Sequence, residues 1–375
     1  MPLTAYSSSL RGEFDAHQLL NHLSARYGQP MVSADTIPEA WRSFLRSDLQ
    51  CPCCFVRGAE IVRTAVKGSR TNRQAFFRFT TPGHKQHCDF DSPDTANKVP
   101  ENLVALTESK STITRAVRDL VCTGIDLGLL SQASIRDMRE WFFTKKIGSL
   151  FEVTLDSRLL LWIDALQRNE FLARGSLPKG VPLTKEIAAL KAFDWRAEAA
   201  RRIIERNPQH RATMKAVFEN HLAIFGDDGR RAGLLAQRFR GRAAFDPNAL
   251  TDEYGKTCSL SEFISRNYEP LLAEKRDAGS ASVLAFSALL LFIRKWDLSA
   301  AIHDFAQIVA ELGKASQNLG NVMGLNPFHD YNAWLILRRL QELNIFVPEN
   351  IDIQAERLVV EASLRQQYNA PPMST

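Results

Sequence analysis

Cys51-Pro52-Cys53-Cys54 and His84-Lys85-Gln86-His87-Cys88 gather four of the chain's six cysteines into two short windows. A Cys-x-x-Cys turn sets two thiolates about one tetrahedral edge apart, and a His-x3-Cys segment does the same for an imidazole and a third thiolate. Cys51, Cys54, His84 and Cys88 together make a Cys3His donor set. Thiolate and imidazole are soft to borderline ligands that suit Zn2+, whereas Mg2+ and Ca2+ take oxygens. Three thiolates describe a closed structural site rather than a catalytic one that keeps a position for water. The bland alternative is reduced cysteines buried in an ordinary core beside solvated histidines; paired clusters at ligand spacing argue against it.

Spacing leaves two substitutions open. Cys53 could replace Cys54, and His87 could replace His84. Adjacent strand residues point to opposite faces, so Cys53 and Cys54 are not expected to bind together outside a tight turn.

Positioning these groups requires a hairpin between the windows. Residues 59–66 are β-prone, Gly68-Ser69 breaks the chain, and residues 74–79 resume as a second strand. Phe77 and Phe79 fall on one face of that strand, Phe76 and Arg78 on the other. Pro82-Gly83 turns the chain just before His84. A metal at the open end would pin the hairpin.

The rest of the chain reads as helix. At 375 residues, 45% hydrophobic and 24% charged, it has the composition of an ordinary globular protein with two or three domains. Lys plus Arg exceeds Asp plus Glu by 47 to 42, and the net charge of +5 permits nucleic-acid binding without demanding it. The N-terminus lacks an apolar core of the signal-peptide kind. The most apolar run, residues 283–293, is too short to span a bilayer and suits a buried helix. Cys122 and Cys258 stand alone, so no disulfide framework is visible and a reducing cytoplasm is the expected compartment.

The predicted fold is mainly α with a small β zinc-ribbon module near the N-terminus. Helical periodicity marks residues 14–27, 38–48, 111–122, 134–146 and 158–171, with Gly124 as the stop of the third. Gly175, Pro178, Gly180 and Pro182 make the clearest linker. The expected organisation is therefore residues 1–95 (helices plus ribbon), 96–175 (helical middle) and 182–375 (a C-terminal helical domain). In the last, residues 185–206 read as one long helix and 247–256 as irregular, with no repeat of fixed period.

Arginine concentrates in two places. Arg196, Arg201, Arg202, Arg206, Arg211 and Lys215 spread along two successive helices. Arg230, Arg231, Arg238, Arg240 and Arg242 crowd a glycine-flanked segment with Phe239 and Phe245 interleaved. Guanidinium forks bind phosphate oxygens and aromatics stack on unpaired bases, so the second cluster is the candidate nucleic-acid contact. Asp227, Asp228, Glu198, Glu205 and Glu219 dilute both. No glycine-rich phosphate loop and no Gly-x-Ser-x-Gly elbow is present.

Ala5 and Gly12 in the opening segment, a helix, Cys51-Pro52-Cys53-Cys54, a hairpin, the aromatics Phe76 to Phe79 and the His84/Cys88 closure resemble the zinc-ribbon start of CoiA-like competence proteins. Such ribbons also occur in uncharacterised proteins of bacterial mobile elements. The resemblance covers about residues 1–90 and implies that Cys51, Cys54, His84 and Cys88 are zinc ligands. This chain departs from it in the second histidine beside Cys88 and in its large helical C-terminal part. The same family implies a restriction-endonuclease-like core, and Pro93-Asp94 followed by Glu108-Ser109-Lys110 matches that motif. Asp94 and Glu108 would hold Mg2+ while Lys110 positions the attacking water. A sheet flanked by helices is needed for that, and only residues 103–106 offer a strand. Two expectations follow: a zinc-ribbon binding or adaptor protein acting on nucleic acid or a protein partner in a mobile-element or defence setting, and, as the alternative, a magnesium-dependent nuclease.

Overall fold

The computed structural model describes residues 2–30, 32, 36–62, 75–91, 102–106, 111–219, 224, 226–272, 279–313 and 322–371. It is 60% helix and 9% strand, the strands forming small antiparallel sheets, so the chain is mainly α. Among the described residues no helix is long and apolar enough to cross a membrane.

The chain divides into two compact units, Met1–Ser149 with Ala249–His329, and Leu150–Asn248 with Asp330–Thr375. The expected division at residues 175–182 lies elsewhere. Gly175 to Pro182 runs inside the second unit, where Leu177 and Leu183 pack on one core with Trp195 and Ile203. These glycines and prolines reverse the chain between helices of one body rather than link two.

In the first unit, strands Gly12–Asp15, Thr4–Ser7 and Leu49–Gln50 form a three-stranded sheet in that order. Asp15 ends a strand and caps the helix Ala16–Tyr27: its carboxylate accepts from Gln18 N–H, and the Gln18 side chain accepts from Asp15 N–H. Leu19, Leu20 and Leu23 are the buried stripe of that helix. The helix Glu39–Asp48 follows and leads directly into Leu49–Gln50. The hairpin pairs Ala59–Val62 with Phe76–Phe79, with Ile61 opposite Phe77; Phe77 and Phe79 are buried and Arg78 is exposed, as the alternation predicts.

The strand Leu103–Leu106 pairs with Val322–Leu325, and the helix Ala281–Ile293 packs against Thr112–Asp126, Gln132–Gly148 and Thr251–Asn267. These long-range contacts assign residues 249–329 to the N-terminal unit, and no local sequence signal announces them. Ala281–Ile293 is buried nearly all round, from Ser282 to Leu291. Gly124 does not stop its helix, which runs to Asp126. A Cβ there would lie 2.7 Å from Leu130 Cδ1, so this glycine admits a close neighbour rather than a turn. Residues 247–250 form a 3-10 turn that opens directly into Thr251–Asn267.

The second unit packs Arg158–Ala173, Pro208–Glu219, Asp227–Phe239 and Tyr331–Glu342 around Trp162, Ile163, Leu166, Leu235 and Leu337. Trp195–Arg206 and Ile353–Gln367 share a smaller core with Val360 and Leu364. Residues 185–206 are not one helix: Lys185–Ala188 is a single turn, and Asp194 caps a new start by accepting from Ala197 N–H.

Candidate metal centre

Cys51, Cys54, His84 and Cys88 converge. Their donor atoms all lie within 4.8 Å of one another, and among the described residues this cluster could hold a metal ion. Leu49–Gln50, fixed in its sheet, delivers the chain into the first pair. There Phe55 N–H donates to the Cys51 carbonyl (3.1 Å) and Cys51 N–H to the Val56 carbonyl (2.9 Å), closing a knuckle that needs φ +61° at Phe55. The hairpin carries the chain out and back. Gly83, at φ +91°, then turns it into His84, and Cys88 N–H donates to the Lys85 carbonyl (3.1 Å).

Cys51 Sγ and Cys88 Sγ stand 3.9 Å apart. His84 Nδ1 faces Cys88 Sγ at 3.4 Å and Cys54 Sγ at 3.6 Å. All four cysteines of the two windows are free thiols, and 3.9 Å is far beyond a disulfide bond of about 2.05 Å. Cys51, Cys54 and Cys88 are buried, and the His84 ring lies between Phe79 (5.5 Å) and Phe90 (6.5 Å). Each thiol of the cluster has a proton to lose on becoming a thiolate ligand. Burial pushes Cys51 up, the hydrogen bond with Cys51 raises Cys88, and Cys54 is the one held low, by hydrogen bonds with Cys51 and Cys88. A cation bound by three thiolates displaces those protons, which couples its affinity to pH.

Neither of the two substitutes belongs to the four-donor cluster. Cys53 lies beside the cluster, near Cys88, but outside its four donors: its thiol donates to Asp89 Oδ2 (3.7 Å) and Asp89 N–H donates back to Cys53 Sγ (3.4 Å). His87 sits at φ +65° in the turn and outside the donor set. Asp89 also pairs with Lys146, on the helix Gln132–Gly148, whose ammonium is favoured by Asp89 despite its burial. Asp89 and Lys146 are the supporting pair that ligand spacing alone did not reveal; the acid directly after Cys88 was the available signal.

The arginine cluster is not one open patch. Arg230 pairs with Asp227, and Arg231 Nε donates to Asp330 Oδ2 (2.5 Å). Arg238, Arg240 and Arg242 are exposed, with the Arg238 guanidinium 5.2 Å from the Phe239 ring. In the other group, Arg201 and Arg202 are held by the fully buried Glu198. Asp94, Glu108 and Lys110 lie outside the described residues. Cys122 and Cys258 stand apart on separate helices, their thiols pushed up by burial.

No known family model matches this chain, and no curated protein or solved structure is similar to it. The resemblance to CoiA-like ribbons therefore rests on the residues that carry it.

Proposed function

We propose that the chain is a zinc-ribbon binding protein whose metal is structural and whose ribbon serves an adaptor that engages nucleic acid. The observation that carries the zinc reading is three of the six edges of the shell, the whole of which lies within 4.8 Å. A tetrahedral ion with Zn–S near 2.3 Å and Zn–N near 2.05 Å implies S···S edges of about 3.8 Å and S···N edges of about 3.6 Å. The cluster has 3.9 Å for Cys51–Cys88, and 3.6 and 3.4 Å for the edges to His84. Donor type agrees, since among the described residues no carboxylate joins the shell.

A shell of four protein ligands clamps two ends of a hairpin and holds no place for substrate. That supports a binding role over a catalytic one at this centre. Exposed Arg238, Arg240 and Arg242 beside Phe239 support a phosphate-bearing partner. The resemblance of residues 1–90 to CoiA-like ribbons supports a bacterial mobile-element or defence setting.

The test incubates the zinc-loaded protein with single- and double-stranded DNA and RNA, with and without Mg2+. Binding without cleavage, weakening steeply with salt as counterion release requires, is the expected result. Absence of binding to all four would overturn the nucleic-acid reading. Magnesium-dependent cleavage lost in Asp94→Ala or Glu108→Ala would replace it with the nuclease.

A further inference from the structure

The second unit contains a cavity of about 500 Å3, a size typical of small-molecule sites. It opens at the C-terminal end of the helix Arg158–Ala173, which contributes Glu170 and Phe171, with Arg174 just beyond. Arg196, Phe218 and Arg357 come from three other helices of the same unit. Arg168, which pairs with Asp164, lines it as well, so four guanidiniums share one small space with the carboxyl of Glu170.

Arg357 is the unusual member. It is only 8% exposed, and its Nε is buried without a hydrogen-bond partner. Glu361, whose charge reaches it, is already bonded through Oε1 by Arg365 Nε (3.0 Å) and Nη2 (2.9 Å). Arg196 adds a like charge, and together with burial it disfavours the Arg357 guanidinium. A buried guanidinium with an unpartnered Nε beside a second cation is costly, and an anion entering the cavity offsets that cost. Guanidinium forks match phosphate bidentately.

The rim is aromatic. Phe171 is 68% and Phe218 56% exposed, so both rings are open to a flat ligand. The Arg174 guanidinium stands 5.7 Å from the Phe171 ring. Glu170 would repel a bare anion, so a ligand must also offer it a donor. A ribose hydroxyl or a base amino group does so.

We propose that this cavity binds a nucleoside 5′-phosphate, with the phosphate on Arg357 and Arg196, the base against Phe171 and Phe218, and a hydroxyl or amino donor on Glu170. The site belongs to the second unit alone and stands whether or not the ribbon binds zinc.

The experiment titrates the full chain calorimetrically with the four common nucleoside 5′-monophosphates, with adenosine, ribose 5-phosphate and inorganic phosphate as controls. At least one nucleotide is expected to bind in the submillimolar range, and each control at least about tenfold more weakly. Arg357→Met and Phe171→Ser should each weaken that nucleotide at least about tenfold. Phe171 is exposed, so its variant keeps the fold even if Arg357→Met does not. A 5′-phosphorylated dinucleotide that outcompetes the mononucleotide would place the ligand at a strand end; the reverse order would make it a free nucleotide. No nucleotide binding at millimolar concentration overturns the proposal. So does inorganic phosphate binding as tightly as the nucleotide, or wild-type affinity in Phe171→Ser.

Discussion

A Cβ on Gly58 would lie 2.1 Å from the carbonyl oxygen of Thr81. Gly58 follows Cys51 and Cys54 and Thr81 precedes His84 and Cys88, so their backbones meet where the hairpin closes on the Cys/His cluster. Gly58 also holds φ +100° and donates its N–H to the Arg46 carbonyl at 2.9 Å. The approach of two backbones, rather than the ligands alone, sets the distance between Cys54 and His84.

Gly58→Ala should therefore separate the two ligand pairs. We expect a loss of about 1–3 kcal/mol in the ribbon and zinc retention about ten- to a hundredfold weaker against a chelator. Gly128→Ala is the control, because Gly128 also has positive φ (+69°) but nothing lies within 4 Å of its Cβ position. Zinc retention in Gly58→Ala as strong as in Gly128→Ala would mean that the contact with Thr81 does not govern the site.

Cys54→Ser and His84→Ala should lose stoichiometric zinc, whereas Cys53→Ser and His87→Asn should keep it. Asparagine tolerates the left-handed conformation that His87 occupies, so that variant removes the imidazole and leaves the turn. Elemental analysis of the four purified proteins decides this. Zinc retained in Cys54→Ser but lost in Cys53→Ser would reverse the assignment.

Arg139 and Glu13 form a buried ion pair between the helix Gln132–Gly148 and the strand Gly12–Asp15, at 2% and 4% side-chain exposure. Thr4 Oγ1 donates to the other Glu13 oxygen at 2.5 Å, while Arg139 Nε and Nη1 have no partner. Glu13→Ala should cost about 3–5 kcal/mol by stranding the guanidinium. Glu13→Leu with Arg139→Met should recover most of that loss. Urea unfolding of the single and double variants measures the coupling, and simple additivity would contradict it.

His210 is buried against Trp162, with ring centroids 5.6 Å apart and Nδ1 unpartnered. Burial lowers its pKa, with Glu356 pulling the other way. The folded chain then binds fewer protons here than the unfolded chain. Its contribution is fully present above the unfolded value of about 6.5 and is lost as pH falls through the depressed folded value. Urea midpoints measured from neutral to mildly acidic pH should fall less steeply in His210→Phe than in the parent chain. Parallel slopes would remove His210 from the acid sensitivity.

How much of this was legible from residues follows from distance along the chain. The Cys51–Cys54 and His84–Cys88 pairs are local, so spacing named them. The choice of Cys54 over Cys53 required the knuckle at Phe55 and the bond from Cys53 to Asp89. Helices with a clear stripe, such as Ala16–Tyr27, were readable, but the break at Asp194 was hidden by continuing helical composition. The pairing of Leu103–Leu106 with Val322–Leu325 was not readable, because a four-residue apolar run carries no address for its partner. Missing that pairing misplaced the domain boundaries. Arg196 was visible as one of a basic series, yet its meeting with Arg357 depends on helices far apart in sequence.

The central claim is a structural zinc in a Cys3His shell, and X-ray absorption at the zinc edge of the purified protein tests it most directly. About three sulfurs near 2.3 Å and one nitrogen near 2.0–2.1 Å are expected around one zinc per chain. A folded protein carrying no zinc, or a zinc surrounded mainly by oxygen and nitrogen, would contradict it.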